Sequence, residues 1–268
     1  MQTIELYLKS IGVKDKPKNI SDINILIKKH LQELSFCNIP VLLGEDISLD
    51  LESIVEKMVK QKKGGYCFEH NKLIYEALKY FGFEVQAPFA RVLYNQNIDV
   101  AKTHRFTILK FNGEKYILDV GFSFLSPNSA IKFGDTPTRT IFAREYVVKE
   151  LDANNFELAM VRKDGLFTLY SFDMAKYNEQ DFEMGHFYSC KHQDAPFVNN
   201  LVLSKITDAK IYSLKNNSYH EISKNSKKEV IIKTLDDFTF ILRDKFDYNI
   251  SDEEIKYLFN KFIDKEKS

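Results

Sequence analysis

The hydrophobic pattern of the chain changes near residue 85, and this change restricts the folds that the chain can adopt. In residues 1–84, apolar side chains such as Leu26, Ile27 and Leu31 recur at helical spacing. After residue 85, short runs such as RFTILKF and KYILDV are rich in residues that favour strands. An α+β fold is therefore predicted, in which helices precede strands along the chain.

Local signals place the ends of the main helices. Ser21 or Asp22 is the predicted N-cap of one helix, Asp50 opens a second, and a third follows a Gly-Gly pair and stops at Gly82. The stretch SDEE at Ser251 predicts a closing helix. Three parts are therefore expected: a helical part at 1–84, a β-barrel-like part at 85–194 and a smaller α/β segment at 195–268.

Charge and composition exclude some classes of function. The 268 residues carry 38 basic and 38 acidic side chains, and this neutral balance argues against a dedicated nucleic-acid binder. The sequence contains neither the apolar run that a membrane-spanning helix needs nor the apolar stretch of a signal peptide. Its three cysteines are a poor disulfide framework. We therefore expect a cytoplasmic protein that binds neither membrane nor nucleic acid.

Cys67 is a candidate nucleophile because of its place at the predicted start of the third helix. It follows Gly64 and Gly65, which let the backbone turn sharply and leave amide groups open. Free N–H groups and the helix dipole stabilise a thiolate at such a position. The alternative is a small buried core residue, as most free cysteines are. For Cys37, which follows a phenylalanine in an apolar stretch, the core interpretation is favoured.

A predicted hairpin supplies the base that a nucleophilic cysteine needs. If Asn112 and Gly113 form a two-residue turn, His104 pairs with Gly121 across the hairpin. Asp119 then lies diagonally opposite His104 on the same face, within reach of its side chain. The carboxylate would hold one ring nitrogen and leave the other for the thiol. A bulge or a three-residue loop would separate the two side chains.

The residues in this order resemble the arylamine N-acetyltransferase family. KGGYCFEHN around Cys67 is similar to the family's nucleophile signature, Thr103-His104 to its histidine strand, and LDVGF at 118–122 to its aspartate segment. Weaker similarities at the two ends extend the resemblance over nearly the whole chain. The family implies a helical bundle, a β-barrel and an α/β lid around a core like that of the cysteine proteases.

The resemblance also implies an activity. The protein would transfer an acetyl group from acetyl-CoA to an arylamine or arylhydrazine by a ping-pong reaction through a Cys67 thioester. His104 would move protons and Asp119 would fix its tautomer. The remaining site residues follow from the same resemblance, with substrate binding at Phe36 and Phe122 and CoA binding at Gly121 and Ser123. No metal is expected.

Several residues depart from the family pattern. Lys63 stands where the family has an arginine and Cys37 where it has a glutamate, so the salt bridge that these two form under the family's active site cannot form here. Ser123 replaces a glycine where the backbone approaches CoA, and His70 replaces a usually apolar residue. The acceptor amine, the length of the acyl chain and the oligomeric state stay open.

Other functions could use some of the same residues. Cys67 and His70, with a second group at His186, Cys190 and His192, could bind zinc, although the spacing is irregular. A Cys-His-Asp hydrolase or transglutaminase-like enzyme would use the same triad order, and an amide synthase of the same family would use a longer acyl group. A non-catalytic binding module would not need an intact triad.

Overall fold

The computed structural model describes residues 2–264. Helices predominate at the two ends of this range, and most of the strands lie between them along the chain. The helices, in chain order, are α1 (Gln2–Ser10), α2 (Ile20–Glu33), α3 (Ile39–Leu42), α4 (Leu51–Val55), α5 (Cys67–Tyr80), α6 (Glu179–Lys191), α7 (Pro196–Asn199), α8 (Leu235–Phe240) and α9 (Asp252–Phe262). π-helical turns extend α4 over Glu56–Lys60 and α8 over Ile241–Lys245, and 3₁₀ turns lie at Ser123–Leu125 and Ile141–Ala143.

The strands form three antiparallel sheets within the described residues. Their bounds are β1 (Phe36–Cys37), β2 (Glu84–Gln86), β3 (Phe89–Val92), β4 (His104–Arg105), β5 (Thr107–Phe111), β6 (Glu114–Leu118), β7 (Ile131–Lys132), β8 (Gly134–Arg139), β9 (Glu145–Glu150), β10 (Asn155–Arg162), β11 (Gly165–Asp173), β12 (Val202–Ile206), β13 (Ile211–Lys215), β14 (Ser218–Ile222) and β15 (Lys227–Ile231). The sheet orders are β2-β5-β6-β7, β4-β3-β11-β10-β9-β8 and β1-β12-β13-β14-β15.

The helix boundaries agree with most of the sequence signals. Asp50 and Ser251 are N-caps as predicted, and Gly82, with φ of 76°, ends the turn after α5. The N-cap of α2 is Asn19, whose side chain accepts a hydrogen bond from the Asp22 N–H, so the prediction of Ser21 or Asp22 is wrong. Asn at this position satisfies a free amide of the first turn as well as serine or aspartate would.

The hairpin at Asn112 has the predicted register over its whole length. Thr107 pairs with Leu118 and Phe111 with Glu114, as a two-residue turn requires. The predicted pairing of His104 with Gly121 is wrong, because β4 pairs with β3 in the six-stranded sheet instead. The chain changes sheets at buried Phe106, which lies in a core that both sheets share. His104 therefore approaches the hairpin from the neighbouring sheet.

The five-stranded sheet, β1-β12-β13-β14-β15, connects the first helical part of the chain with its last part. β1 from the helical segment pairs with β12, and the same sheet packs against α8 and α9 through residues such as Leu203, Phe238 and Leu258. No helix in residues 2–264 has both the length and the apolar character needed to cross a membrane. The division at 84 and 194 stays a prediction, since β1 already ties the first part to the last.

Candidate active site

Cys67 is the first residue of α5, as the sequence predicted. Tyr66 before it has extended backbone angles, and Gly64 has φ of 57°, a conformation that favours glycine. The thiol is buried and its Sγ lies 3.6 Å from the carbonyl oxygen of Thr103, the residue before His104. The helix start thus places the thiol directly beside the histidine strand.

Burial changes the expected acidity of this thiol. It raises the pKa of Cys67, and the negative charge of Asp119 raises it further. The backbone N–H groups of Phe68 and Arg105 act in the opposite direction without overcoming burial. The stabilised thiolate that the helix start predicted is therefore wrong in direction. Deprotonation of the thiol has to be coupled to proton transfer onto a neighbouring base.

His104 and Asp119 are in contact as predicted, although His104 reaches the carboxylate from the neighbouring sheet and not across the hairpin. His104 Nε2 lies 2.7 Å from Asp119 Oδ2, and both side chains are buried. The contact through Nε2 leaves Nδ1 as the second ring nitrogen. The rings of Phe122 and Tyr170 lie against the imidazole, each at a centroid distance of 5.0 Å. These contacts restrict the imidazole to one orientation.

Asn71 connects the nucleophile helix to this pair and was not assigned a role from the sequence. Its Nδ2 donates to the Arg105 carbonyl at 2.6 Å and to Asp119 Oδ1 at 3.0 Å, while its Oδ1 accepts from the Val120 N–H. The sequence signal that could have identified Asn71 is its position four residues after Cys67, which places both residues on the same face of α5. Asn71 fixes the carboxylate that in turn fixes the histidine.

The close packing continues at Gly121. A Cβ there would lie 2.8 Å from the Cα of Cys67 and 2.5 Å from Asn71 Nδ2, so only glycine allows the hairpin to approach α5 this closely. The Gly121 N–H also donates to Asp119 Oδ1 at 3.0 Å. α5 and the residues after β6 are thereby held in direct contact.

The residues expected to bind substrates lie around the same centre. Phe122 contacts the His104 ring, while Phe36 and Ser123 line a small cleft together with His70 and Val120. The Ser123 hydroxyl donates to the Ser204 hydroxyl of β12 at 3.0 Å. The structure therefore places the predicted residues in one region between the hairpin, α5 and the last sheet.

Known proteins are similar to this chain in both sequence and fold. A family model described as N-acetyltransferase matches residues 19–255. The arylamine N-acetyltransferase of Escherichia coli K12 is 30% identical over 188 residues, which cover 70% of this chain and 66% of that protein. The Mycolicibacterium smegmatis arylamine N-acetyltransferase is 29% identical over 216 residues, which cover 78% of each chain. The chain belongs to the arylamine N-acetyltransferase family.

Solved structures of the family superimpose on nearly the whole chain. Arylamine N-acetyltransferase from Salmonella typhimurium superimposes with a TM-score of 0.90 at 22% identity, covering 98% of this chain and 99% of that one. A Mycobacterium marinum arylamine N-acetyltransferase in complex with CoA gives a TM-score of 0.88 at 22% identity, covering 97% and 99%. The predicted α+β fold of this family is thus confirmed.

The departures from the arylamine N-acetyltransferase pattern have structural consequences under the site. Lys63 turns away from Cys37 and pairs with Glu45 at 3.1 Å. The Cys37 thiol is buried, and burial raises its pKa to about 12. Its Sγ donates to the Lys63 carbonyl at 3.2 Å. Cys37 is therefore an inert core residue, as the sequence favoured.

The residues of the zinc alternative make other contacts in this fold. His186 lies on α6 with most of its side chain buried, in contact with the Tyr66 hydroxyl and the Ile47 carbonyl. His70 forms hydrogen bonds with His30 and with the Ser35 carbonyl. In residues 2–264, His, Cys, Asp and Glu side chains form no group of three or more that could hold a metal ion.

A chain of hydrogen bonds joins three helices of the bundle through buried His30 and His70. Tyr7 Oη lies 2.7 Å from His30 Nδ1, His30 Nε2 lies 2.7 Å from His70 Nδ1, and His70 Nε2 lies 3.2 Å from the Ser35 carbonyl oxygen. The Ser35 carbonyl can only accept, so His70 donates to it through Nε2. Burial lowers the pKa of both histidines and thereby favours neutral rings, each of which then donates through Nε2 and accepts through Nδ1.

The neutral histidine chain predicts a loss of stability in mild acid. Burial lowers the pKa of His70 to about 4 and that of His30 well below its usual value. Because the unfolded chain takes up these protons below about pH 6.5 and the folded chain does not, stability is full above that pH and falls below it. Each histidine should contribute a slope of about 1.4 kcal/mol per pH unit. Urea unfolding between pH 7 and pH 5 measures this slope.

A surface variant provides the control for the acid effect. His192→Gln changes a half-exposed ring at the end of α6 and should leave the slope unchanged. A free energy of unfolding that stays constant between pH 6.5 and pH 5 would contradict the neutral histidine chain.

Proposed function

We propose that the protein is an acetyl-CoA-dependent arylamine N-acetyltransferase in which Cys67, His104 and Asp119 are the catalytic residues. The observation that carries this proposal is the position of the Cys67 thiol, 3.6 Å from the Thr103 carbonyl and next to the His104–Asp119 pair. The activities named for the E. coli and M. smegmatis relatives give the reaction class, and the M. marinum complex contains CoA. The protein is thus an acyltransferase enzyme.

In the first half-reaction, the Cys67 sulfur attacks the carbonyl carbon of the acetyl thioester. The thiol proton passes to Nδ1 of His104, and Asp119 stabilises the imidazolium through Nε2. The tetrahedral intermediate breaks its bond to the CoA sulfur, which leaves with the proton from His104. Cys67 then carries the acetyl group as a thioester. The backbone N–H groups of the first turn of α5 are the candidate donors to the intermediate's oxygen.

In the second half-reaction, the amine nitrogen attacks the Cys67 thioester. His104 accepts a proton from the amine as the new amide bond forms, and this proton returns to the Cys67 sulfur as it leaves. Cys67 is buried in the same apolar cluster as Phe68, Phe89 and Phe182, which limits the access of water to the thiol. This exclusion favours transfer to an amine over hydrolysis of the thioester.

The substrate sites follow from the same geometry. Phe36 and Phe122 are the residues that we propose to contact the aromatic acceptor, either an arylamine or an arylhydrazine. Gly121 and Ser123 are the residues that we propose to contact the acyl donor CoA, next to the start of the Cys67 helix. The three parts at 1–84, 85–194 and 195–268 and a cytoplasmic location belong to the same proposal.

Steady-state kinetics test the proposed function. With acetyl-CoA and an aromatic amine both varied, double-reciprocal plots should be parallel, because CoA leaves before the amine reacts. In the absence of amine, CoA release should stop at about one equivalent per enzyme. Intersecting lines would contradict the ping-pong reaction, and sustained CoA release without amine would favour the hydrolase alternative.

A further inference from the structure

A buried ion pair lies directly beneath the start of the nucleophile helix. Lys57, in the π-helical turn Glu56–Lys60, is paired with Glu69 of α5, and their side chains are only 14% and 1% exposed. Lys57 Nζ and Glu69 Oε1 have no further hydrogen-bond partner within the described residues. Each charge therefore depends on the other, and removal of one would leave the other buried and unpaired.

Glu69 connects this pair to the position of Cys67. Its second carboxylate oxygen, Oε2, accepts a hydrogen bond from the Tyr66 N–H at 3.2 Å, which fixes the residue immediately before Cys67. A Cβ at Gly65 would lie 3.0 Å from the same oxygen, so the glycine turn gives the carboxylate its place. Glu69 thus stabilises the turn from which the thiol projects.

The charge of Glu69 also acts on the thiol. A carboxylate two residues from Cys67 opposes formation of the thiolate, and Asp119 and Glu69 both raise the pKa of Cys67 in addition to burial. A cation paired with Glu69 cancels most of the effect that the Glu69 charge has on the pKa of Cys67. The surrounding titratable groups are Cys37 of β1, Tyr66, Cys67 and His70 at the start of α5, Asp119 after β6 and His186 of α6.

We propose that Lys57 is a positioning residue for acyl transfer, which holds Glu69 under the α5 start and neutralises it so that Cys67 can be deprotonated. Lys63 pairs with Glu45, so Lys57 of the π-helical turn is the cation that lies beside Glu69. The proposal rests on the proposed role of Cys67 as nucleophile. Glu69 and Lys57 act through the helix start and do not touch the reacting groups.

The rate of Cys67 alkylation by iodoacetamide, measured against pH without acetyl-CoA, tests this proposal. Peptide mapping by mass spectrometry separates Cys67 from the other two cysteines. In Lys57→Met, the midpoint of the rate profile should rise by about one pH unit, which makes alkylation roughly tenfold slower near neutral pH. Without Lys57 the Glu69 carboxylate has no partner cation, so its charge opposes formation of the Cys67 thiolate without compensation.

Three further variants separate charge from simple packing. Lys57→Arg should keep the wild-type midpoint, and the double variant Lys57→Met/Glu69→Gln should regain it, because neither leaves an unpaired charge. Lys60→Met removes an exposed lysine of the same turn that pairs with Glu56, and should change nothing. Circular dichroism and thermal unfolding verify that each variant is folded.

The alkylation midpoints of these variants either support or overturn the proposed role of Lys57. A folded Lys57→Met with an unchanged midpoint would overturn the proposal, and so would a double variant whose midpoint stays high. If Lys57→Met does not fold, the arginine and double variants still decide, since both must match the wild type. Failure of the proposed function looks different: the midpoints would shift as expected while acetyl-CoA left Cys67 unmodified.

Discussion

Replacing Asp119 by asparagine is expected to reduce acetylation of Cys67 by about 10⁴-fold, the scale seen when a catalytic histidine loses its orienting carboxylate. The amide of the new side chain can donate to Nε2 of His104, which favours the tautomer with its proton on Nδ1. The imidazole would then present an N–H to the thiol where a lone pair is needed. Stopped-flow measurement of CoA release in the first turnover reports this step directly.

The same substitution should leave the fold intact. The asparagine side chain keeps an oxygen that can accept from Asn71 Nδ2 and from the Gly121 N–H, so the contact between the hairpin and α5 persists. Near-normal release of CoA from a folded Asp119→Asn enzyme would mean that the His104–Asp119 contact is structural. If Asp119→Asn showed no thermal unfolding transition, its loss of activity would instead come from loss of the fold.

Cys67→Ala is expected to abolish acyl transfer, with a loss of more than about 10⁴-fold in turnover, because no other described side chain offers a nucleophile beside His104. Alanine fits the space of the buried thiol, so the variant should fold. Amide product measured by chromatography provides the readout.

Cys190→Ala is the matched control for this variant. Cys190 lies on α6 with a half-exposed side chain, and its Sγ contacts the Phe187 carbonyl of its own helix. Its removal should leave turnover unchanged. If Cys67→Ala kept substantial activity while Cys190→Ala lost it, the nucleophile would be assigned to the wrong cysteine.

Local signals in the sequence predicted the elements that carry the site. The Gly-Gly turn correctly placed Cys67 at a helix start, and the Asn-Gly turn gave the register of β5 and β6. The path of the chain at His104 was not predictable in this way. The sequence there continues the strand pattern without a break, and only the packing of Phe106 between two sheets shows that the chain changes sheets.

Contacts between distant segments account for the other differences. The pairing of Lys57 with Glu69 and the hydrogen bond between His30 and His70 depend on how helices pack, and no local pattern specifies either. The acidity of Cys67 shows the same limit of local reasoning. The helix start lowers a thiol pKa, but the surrounding aromatic core, which the sequence pattern does not define, raises it more.

In the proposed reaction, Cys67 carries the acyl group between donor and acceptor. Intact-mass analysis of the protein after incubation with acetyl-CoA alone tests this role most directly. We predict a gain of one acetyl group, about 42 Da from the mass of C₂H₂O, located at Cys67 by peptide mapping, absent from Cys67→Ala and lost on addition of an aromatic amine. A folded protein that gains no acetyl group, or gains it at another residue, would contradict this role.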